Sequence, residues 1–494
     1  MKGLVPHVIV ASAAASSMQK AVADYYCDGV ADDVEIQLAL DSLAAAGGNV
    51  SLTPGTFFLS SPVKIPSNVS LEGFGFSTKL DASLIDNDSV IINNNFLGGN
   101  SYIQIHDLSV INHACPLSGF GSIHCQNTKH LLISNISIQD GQSDGVLLKY
   151  TVEYAIIKDI FVKNILRHSI FVGWSCSYID IRGVISETPG LEHVCLETYA
   201  GGPTDWNYYI TVSDCIGKDA GNNGYYTEHC KNVVWSNCLA FNTLGNPAFF
   251  CVDSYSVQYV NCIARTAPQG FRVLPATWDV SFVNCVAELC VENGYQLEGV
   301  RIHLSNSTAL TCARPFDIYA IAGGAPMREE IIITGCHFYD QTTFCRVNGT
   351  NILISNNVWE ESSNKGNSVV IYLYDGANTV KILNNIFGIT CTGYGIGNSD
   401  GTTPNAEIKG NWGASFETED SGVATLLSAS TTVVVNHKVR RIPQSVIVTP
   451  KATWGNMTKF WVNAISSTQF TINADIAPGA DKIFSWYAKW RHLL

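Results

Sequence analysis

Eight ionisable residues, Lys149, Glu197, Glu228, His229, Asp253, Arg272, Glu298 and Asp317, fall near the ends of short segments with alternating apolar and polar residues. Carboxylates at this density suit paired acid–base work. One carboxylic acid protonates an acetal oxygen while a second, ionised, activates water or attacks directly. Glu197 with Glu228, or Glu228 with Asp253, could supply acid and base, and Glu298 extends the acidic set. Arg272 could act as the base of an elimination, or clamp a uronate carboxylate with Lys149 further along. The same residues also read as the solvated face of a soluble protein, with Arg272 paired to Glu228 or Glu298. Trp174, Tyr199 and Trp206 offer flat faces for stacking on sugar rings, a signal that buried core aromatics would mimic. Tyr199 and Trp206 belong to the longest insertion of the central region, residues 186–209. Lys149, His229 and Asp317 complete the expected substrate-binding set. The pairs His124-Cys125 and His229-Cys230 lack the spacing of a zinc site, so no metal and no other cofactor is expected.

These residues need a scaffold that repeats. "VVWSNCLAFN" (233–242), "VQYVNCIART" (257–266) and "VSFVNCVAEL" (280–289) carry the same Asn-Cys step in an apolar setting. The position before that step runs Gly73, Asp107, Asn135, Asp159, Gly183, Asp214, Asn237, Asn261, Asn284, Asn306, Gly335, Asn356, Asn384, Gly410, at separations of mostly 21 to 31 residues. Gly, Asn and Asp are the residues that tolerate a left-handed backbone. A second strand precedes each step, as in "GYYTEH", "AFFCVD", "GFRVLP" and "GYQLEG", and alternation places Tyr225, Phe249, Phe271 and Tyr295 on one face. Strands without helices at this period predict a parallel β-helix, each coil stacked about 4.8 Å from the last. Cys238, Cys262 and Cys285 then point inward as one column. Parallel side chains in such a column are poorly disposed for disulfides.

The bulk numbers agree with an ordered, elongated array. The 494 residues are 46% hydrophobic and 14% charged, too long for one ordinary core and too apolar for disorder. A net charge of -13 argues against a nucleic-acid partner and against purely electrostatic capture of an acidic polymer. No run reaches the length of a membrane span, so no membrane insertion is expected. In "MKGLVPHVIVASAAASSMQKA", Pro6 and His7 interrupt the apolar run expected of a secretion signal, which favours a short strand and an N-terminal arm over residues 1–26. Sixteen cysteines set in strand patterns read as buried thiols and favour synthesis in a reducing compartment.

Within residues 27–80, Asp32 and Glu35 have capping-box spacing ahead of a helix whose expected apolar stripe is Val34, Leu38, Leu40 and Leu43. The elements Asp28-Gly29, Asp32-Asp33, Ile36-Gln37, Ala39, Gly47-Gly48, Pro54-Gly55-Thr56 and Gly73-Phe74-Gly75 resemble the N-terminal motif of the pectate-lyase superfamily of phage tailspikes and related polysaccharide-active proteins. With the repeats, the resemblance covers residues from about 27 to 415. It implies an all-β, right-handed parallel β-helix over 27–418, opened by a short capping helix. Residues 419–494 read as short alternating strands, a C-terminal antiparallel β-sandwich that would cap the helix, join subunits or bind glycan. The family includes lyases, hydrolases, epimerases and binders, so the reaction does not transfer with the fold. The resemblance implies a virion tailspike-like protein, assembled inside the cell, that binds and could depolymerise a host-surface polysaccharide. It also implies a homotrimer and attachment to other tail or virion proteins through the arm. A secreted lyase or hydrolase and a non-enzymatic adhesin are the alternatives.

Overall fold

At every expected turn position except Gly73 the backbone is left-handed. Asp107, Asn135, Asp159, Gly183, Asp214, Asn237, Asn261 and Asn284 have φ between 51° and 63°. At Gly73 glycine serves close approach instead: a Cβ would lie 2.4 Å from the Asp107 carbonyl oxygen. Each coil carries several left-handed residues, and the one at this position turns the chain sharply while both flanking strands stay in register. The computed structural model describes residues 6–198, 205–319, 328–360, 370–374, 377–388, 396–398, 406–412, 417–439 and 442–490. It falls into two compact units, Met1–Val300 and Arg301–Leu494.

In the first unit His7–Ala11 pairs in parallel with Gly48–Leu52 and with Tyr25–Tyr26. Part of the segment expected as an arm is thus a strand of the first coil. The helix Asp33–Ser42 follows, but the Asp32 carboxylate does not cap it. It accepts instead from the backbone N–H of Gly29 and of Phe58, each at 2.8 Å, while Asp33 accepts from Ser60 N at 2.7 Å. These bonds fix the helix's rotation. Ile36, Ala39, Leu40 and Leu43 are buried, whereas Val34 and Leu38 of the expected stripe stand half out in solvent.

The coils build two long parallel sheets. One contains Thr128–Gly141, Glu153–Ile165 and Ser177–Glu187, in register Ile133, Ile157, Ile181. The other contains Asp144–Lys149, Ile170–Gly173, Val194–Leu196, Tyr225–Glu228, Phe249–Val252, Gln269–Val273 and Asn293–Leu297. Its inward face carries the predicted ladder: Tyr225, Phe249, Phe271 and Tyr295 stack with centroids 4.9, 4.7 and 5.0 Å apart. Asn261 Nδ2 donates to Asn237 Oδ1 at 3.1 Å, and Asn237 Nδ2 to Asp214 Oδ1 at 2.9 Å, so the turns also form a column. Cys238, Cys262 and Cys285 are buried beneath it, with thiols directed at carbonyls of the preceding coil. All fifteen described cysteines are buried thiols outside any disulfide. Native protein is therefore expected to leave these thiols untouched by a small aromatic disulfide reagent, which unfolding would release together. Rapid native-state labelling of several would contradict the stacked core.

The second unit holds further coils, with Arg314–Ile318, Cys345–Val347 and Ile371–Leu373 in parallel. Its turn residues Asn306, Gly335, Asn356, Asn384 and Gly410 have φ between 49° and 67°. Two antiparallel sheets follow: Glu419–Leu426, Lys482–Lys489 and Ser445–Pro450, and Thr432–Asn436, Gln469–Ala474 and Phe460–Asn463. Leu426, Phe470, Ile472, Phe484 and Trp486 form their common core. No helix among the described residues is long and apolar enough to cross a membrane.

Candidate functional site

Inward residues of the second long sheet fill the core, so alternation leaves every other side chain facing out. Two columns face outward in this way, and a third precedes the strands. The first runs through Leu147, Phe171, Cys195, Tyr226, Phe250, Arg272 and Gln296. The second passes through Lys149 and Gly173, then Glu197 and Glu228, and reaches Val252. The third, Asp144, His168, Glu192 and Asn223, stands at or just before the strand starts and is buried. Members of all three columns line a cleft of about 650 Å³ in the first unit.

The third column is a hydrogen-bonded ladder of charges. His168 Nδ1 donates to Asp144 Oδ1 at 2.7 Å, and Nε2 lies 3.0 Å from Glu192 Oε2. Both ring nitrogens therefore act as donors, which requires an imidazolium. Burial alone would depress its pKa, but the two carboxylates overcome that and raise it to about 9. Burial likewise opposes ionisation of Asp144 and Glu192, and the His168 hydrogen bonds reverse it, holding both below the usual carboxylate range. Glu192 accepts further bonds from Asn222 Nδ2 at 2.6 Å and Asn223 Nδ2 at 2.8 Å. Arg167 Nε lies 3.4 Å from Asp144.

The second column carries Glu197 and Glu228, two of the carboxylates singled out in the sequence. Leu196 pairs with Thr227, which sets the next residues, Glu197 and Glu228, on neighbouring coils about 4.8 Å apart at the backbone. Burial, and then the charge of Glu228, raises the Glu197 carboxyl above its usual range. Glu228 instead accepts from the Tyr226 hydroxyl at 2.7 Å. Leu147, Phe171 and Cys195 form an apolar floor, with Trp174 and Tyr226 packed against it.

Of the residues singled out in the sequence, Lys149, Trp174 and Glu197 line the cleft, and Glu228 adjoins Glu197. Arg272 belongs to the first column, not to the acidic one. Its guanidinium carbon sits 5.4 Å from the centre of the Phe250 ring, and it makes no ion pair among the described residues. The expected single stripe is therefore two columns, because intervals of 24 and 22 residues bring Val252, not Arg272, beside Glu228. His229 and Asp253 occupy left-handed turns at φ 50° and 42°, past the strand ends. Trp206 lies edge-on to His229 and Tyr255 with the Lys231 ammonium 4.2 Å over its ring, outside the cleft. Two residues expected on the outer face are enclosed. Glu298 is buried and accepts from Gln296, and Asp317, in the second unit, is fully buried and holds Arg346 Nε at 3.0 Å. Tyr199 lies outside the described residues.

Sequence reading missed the ladder itself, although Asp144, His168 and Glu192 recur at intervals of 24 residues. Two groupings among the described residues have metal-ligand atoms close together, His168/Glu192/Cys195 and Cys27/Asp32/Glu35. Neither fits an ion well. His168 has committed both nitrogens as donors, and burial pushes the Cys195 and Cys27 thiols up, away from the thiolate a metal needs.

The cleft thus lies on one face of a right-handed parallel β-helix, the fold that residues 27–80 had implied. No family model matches the chain. The pre-neck appendage protein of Bacillus phage B103 is 28% identical over 270 residues, 51% of this chain but 27% of the relative's length. The chain thus spans about a quarter of that relative. Among solved structures, the tailspike protein gp49 from Pseudomonas phage LKA1 is 10% identical, covers 92% of this chain and 93% of its own, and has a TM-score of 0.49. The N-terminal fragment of gene product 12 from bacteriophage Phi29 is 14% identical over 76% of this chain and 67% of that one, also at 0.49.

Proposed function

We propose that the chain is a virion tail protein that binds a host-surface polysaccharide in the cleft and hydrolyses it with Glu197 and Glu228. The carrying observation is that these two carboxylates stand on adjacent coils, Glu197 in the cleft and Glu228 beside it, in contrasting environments. Glu197, held protonated longer by burial, would donate its proton to the departing glycosidic oxygen. Glu228, anchored by the Tyr226 hydroxyl, would serve as base or nucleophile, with the aromatic floor seating sugar rings. The phage relative supports virion association. Attachment to other tail proteins through the N-terminal residues and a homotrimer complete the proposal.

The test is incubation of purified protein with a panel of neutral and acidic surface polysaccharides, following reducing ends and the ultraviolet absorbance of unsaturated uronates together. New reducing ends without absorbance are expected. Absorbance would transfer the chemistry to elimination and to Arg272, and binding without either signal would leave a glycan reader. A monomer by light scattering at micromolar concentration would remove the trimer.

A further inference from the structure

Lys149 is buried to nine-tenths, yet its charge has no carboxylate of its own. Its Nζ has one hydrogen-bond acceptor among the described residues, the Gly119 carbonyl oxygen, at 3.4 Å. The ammonium otherwise lies over the Trp174 ring, 4.7 Å from the centroid, a contact that offsets only part of the desolvation. The nearby acids are already committed: Asp144 to His168 and Arg167, and Glu192 to His168 and two asparagines. Space is reserved around the charge as well. Gly119 stands at φ 94°, and a Cβ there would come within 3.3 Å of Nζ. A desolvated cation beside open space, whose acidic neighbour Asp144 is already shared with His168 and Arg167, is a place for an anion brought by the ligand.

We propose that Lys149, Trp174 and Gly119 form a subsite for the carboxylate of an acidic sugar, so that the preferred polymer carries one such sugar per repeat at this position. The inference rests on the reading of the cleft as a polysaccharide site and names its substrate class. Lys149 is a single point charge, suited to one carboxylate oxygen and not to a forked pair of bonds. With a net charge of -13 the molecule repels polyanions at long range. Discrimination must therefore come from this one contact after encounter, and should appear in dissociation more than in association.

The test immobilises each acidic polysaccharide of a bacterial surface panel twice, native and with its carboxyls chemically reduced to alcohols, beside neutral polymers, and measures binding of the full chain. The expected result is an acidic member whose binding weakens at least about 30-fold on carboxyl reduction. Lys149→Met should weaken native polymer by a similar factor through faster release, Lys149→Arg should restore part of it, and Gly119→Ala should weaken it too. On the reduced polymer, whose alcohol accepts only an ordinary hydrogen bond, the loss in each variant should shrink to a few-fold at most. Equal binding of native and reduced polymer, or a Lys149→Met effect that persists undiminished on reduced polymer, would overturn the subsite and leave the polysaccharide reading standing. Failure to bind any panel member, with normal circular dichroism, would overturn both.

Discussion

Glu197→Gln and Glu228→Gln are each expected to slow depolymerisation roughly 100- to 10,000-fold while leaving polymer binding within a few-fold of the parent. The separation of effects follows from what each variant removes. Glutamine keeps the size and hydrogen-bonding reach of glutamate, so the cleft keeps its shape. Glu197→Gln cannot release a proton to the leaving oxygen, and Glu228→Gln cannot carry the negative charge that attack or base catalysis needs. The pH profile provides a second readout. Burial and the Glu228 charge raise the Glu197 carboxyl, so the acid form survives above the usual carboxylate range and the alkaline limb of the rate should lie correspondingly high. That limb should vanish in Glu197→Gln. The anomeric configuration of the parent's product then divides the mechanisms: retention means Glu228 is a nucleophile, and inversion means a base. Full activity in both variants would remove the pair from the chemistry.

The coil period was legible because, among the left-handed positions that recur in each turn, one is always held by Gly, Asn or Asp, the residues that adopt this backbone cheaply. Asn237, Asn261 and Asn284 therefore announce the fold in a way no single strand could. The aromatic ladder followed from simple alternation through Tyr225, Phe249, Phe271 and Tyr295. The site was less legible because face and column are different questions. Alternation says that Arg272 and Glu228 both face outward, but only the stacking register shows that they occupy different columns. Burial was hidden too: Asp317 satisfies the outward pattern, yet Arg346 on the next coil closes over it. The ladder Asp144, His168 and Glu192 had a perfect period, but its meaning depends on contacts across three coils that no local motif encodes. At the helix, Asp32 has the sequence of a cap and the tertiary role of a staple, because the Phe58 N–H competes for its carboxylate.

Replacing His168 with leucine should destabilise the coils around it by about 3–5 kcal/mol, the usual cost of stranding buried charges by removing their partner. Two carboxylates, Asp144 and Glu192, would lose the imidazolium between them and would have to take up protons or water. The parent protein should show the same linkage as a pH dependence. His168 titrates near 6.5 when unfolded and about 9 when folded. Its contribution is therefore complete below pH 6.5 and drains away as the pH rises toward 9, on the order of 3 kcal/mol in all. Asp144 and Glu192 act in the opposite sense. Their folded values lie below the unfolded 3.8 and 4.5, so their contribution is present above pH 4.5 and lost on acidification. Local stability should peak between about pH 4.5 and 6.5. A solenoid need not unfold as one unit, so global melting would blur the effect. Hydrogen exchange of the amides in Asp144–Lys149, Ile170–Gly173 and Val194–Leu196, corrected for the intrinsic rate at each pH, isolates it. The parent should lose protection between pH 6.5 and 9 in these strands, while Phe249–Val252 and later strands stay level, and His168→Leu should start lower and be flat over that range. Equal protection at pH 6 and pH 9 in the parent would mean that the imidazole is neutral in the fold and that the ladder is held by something other than its charge.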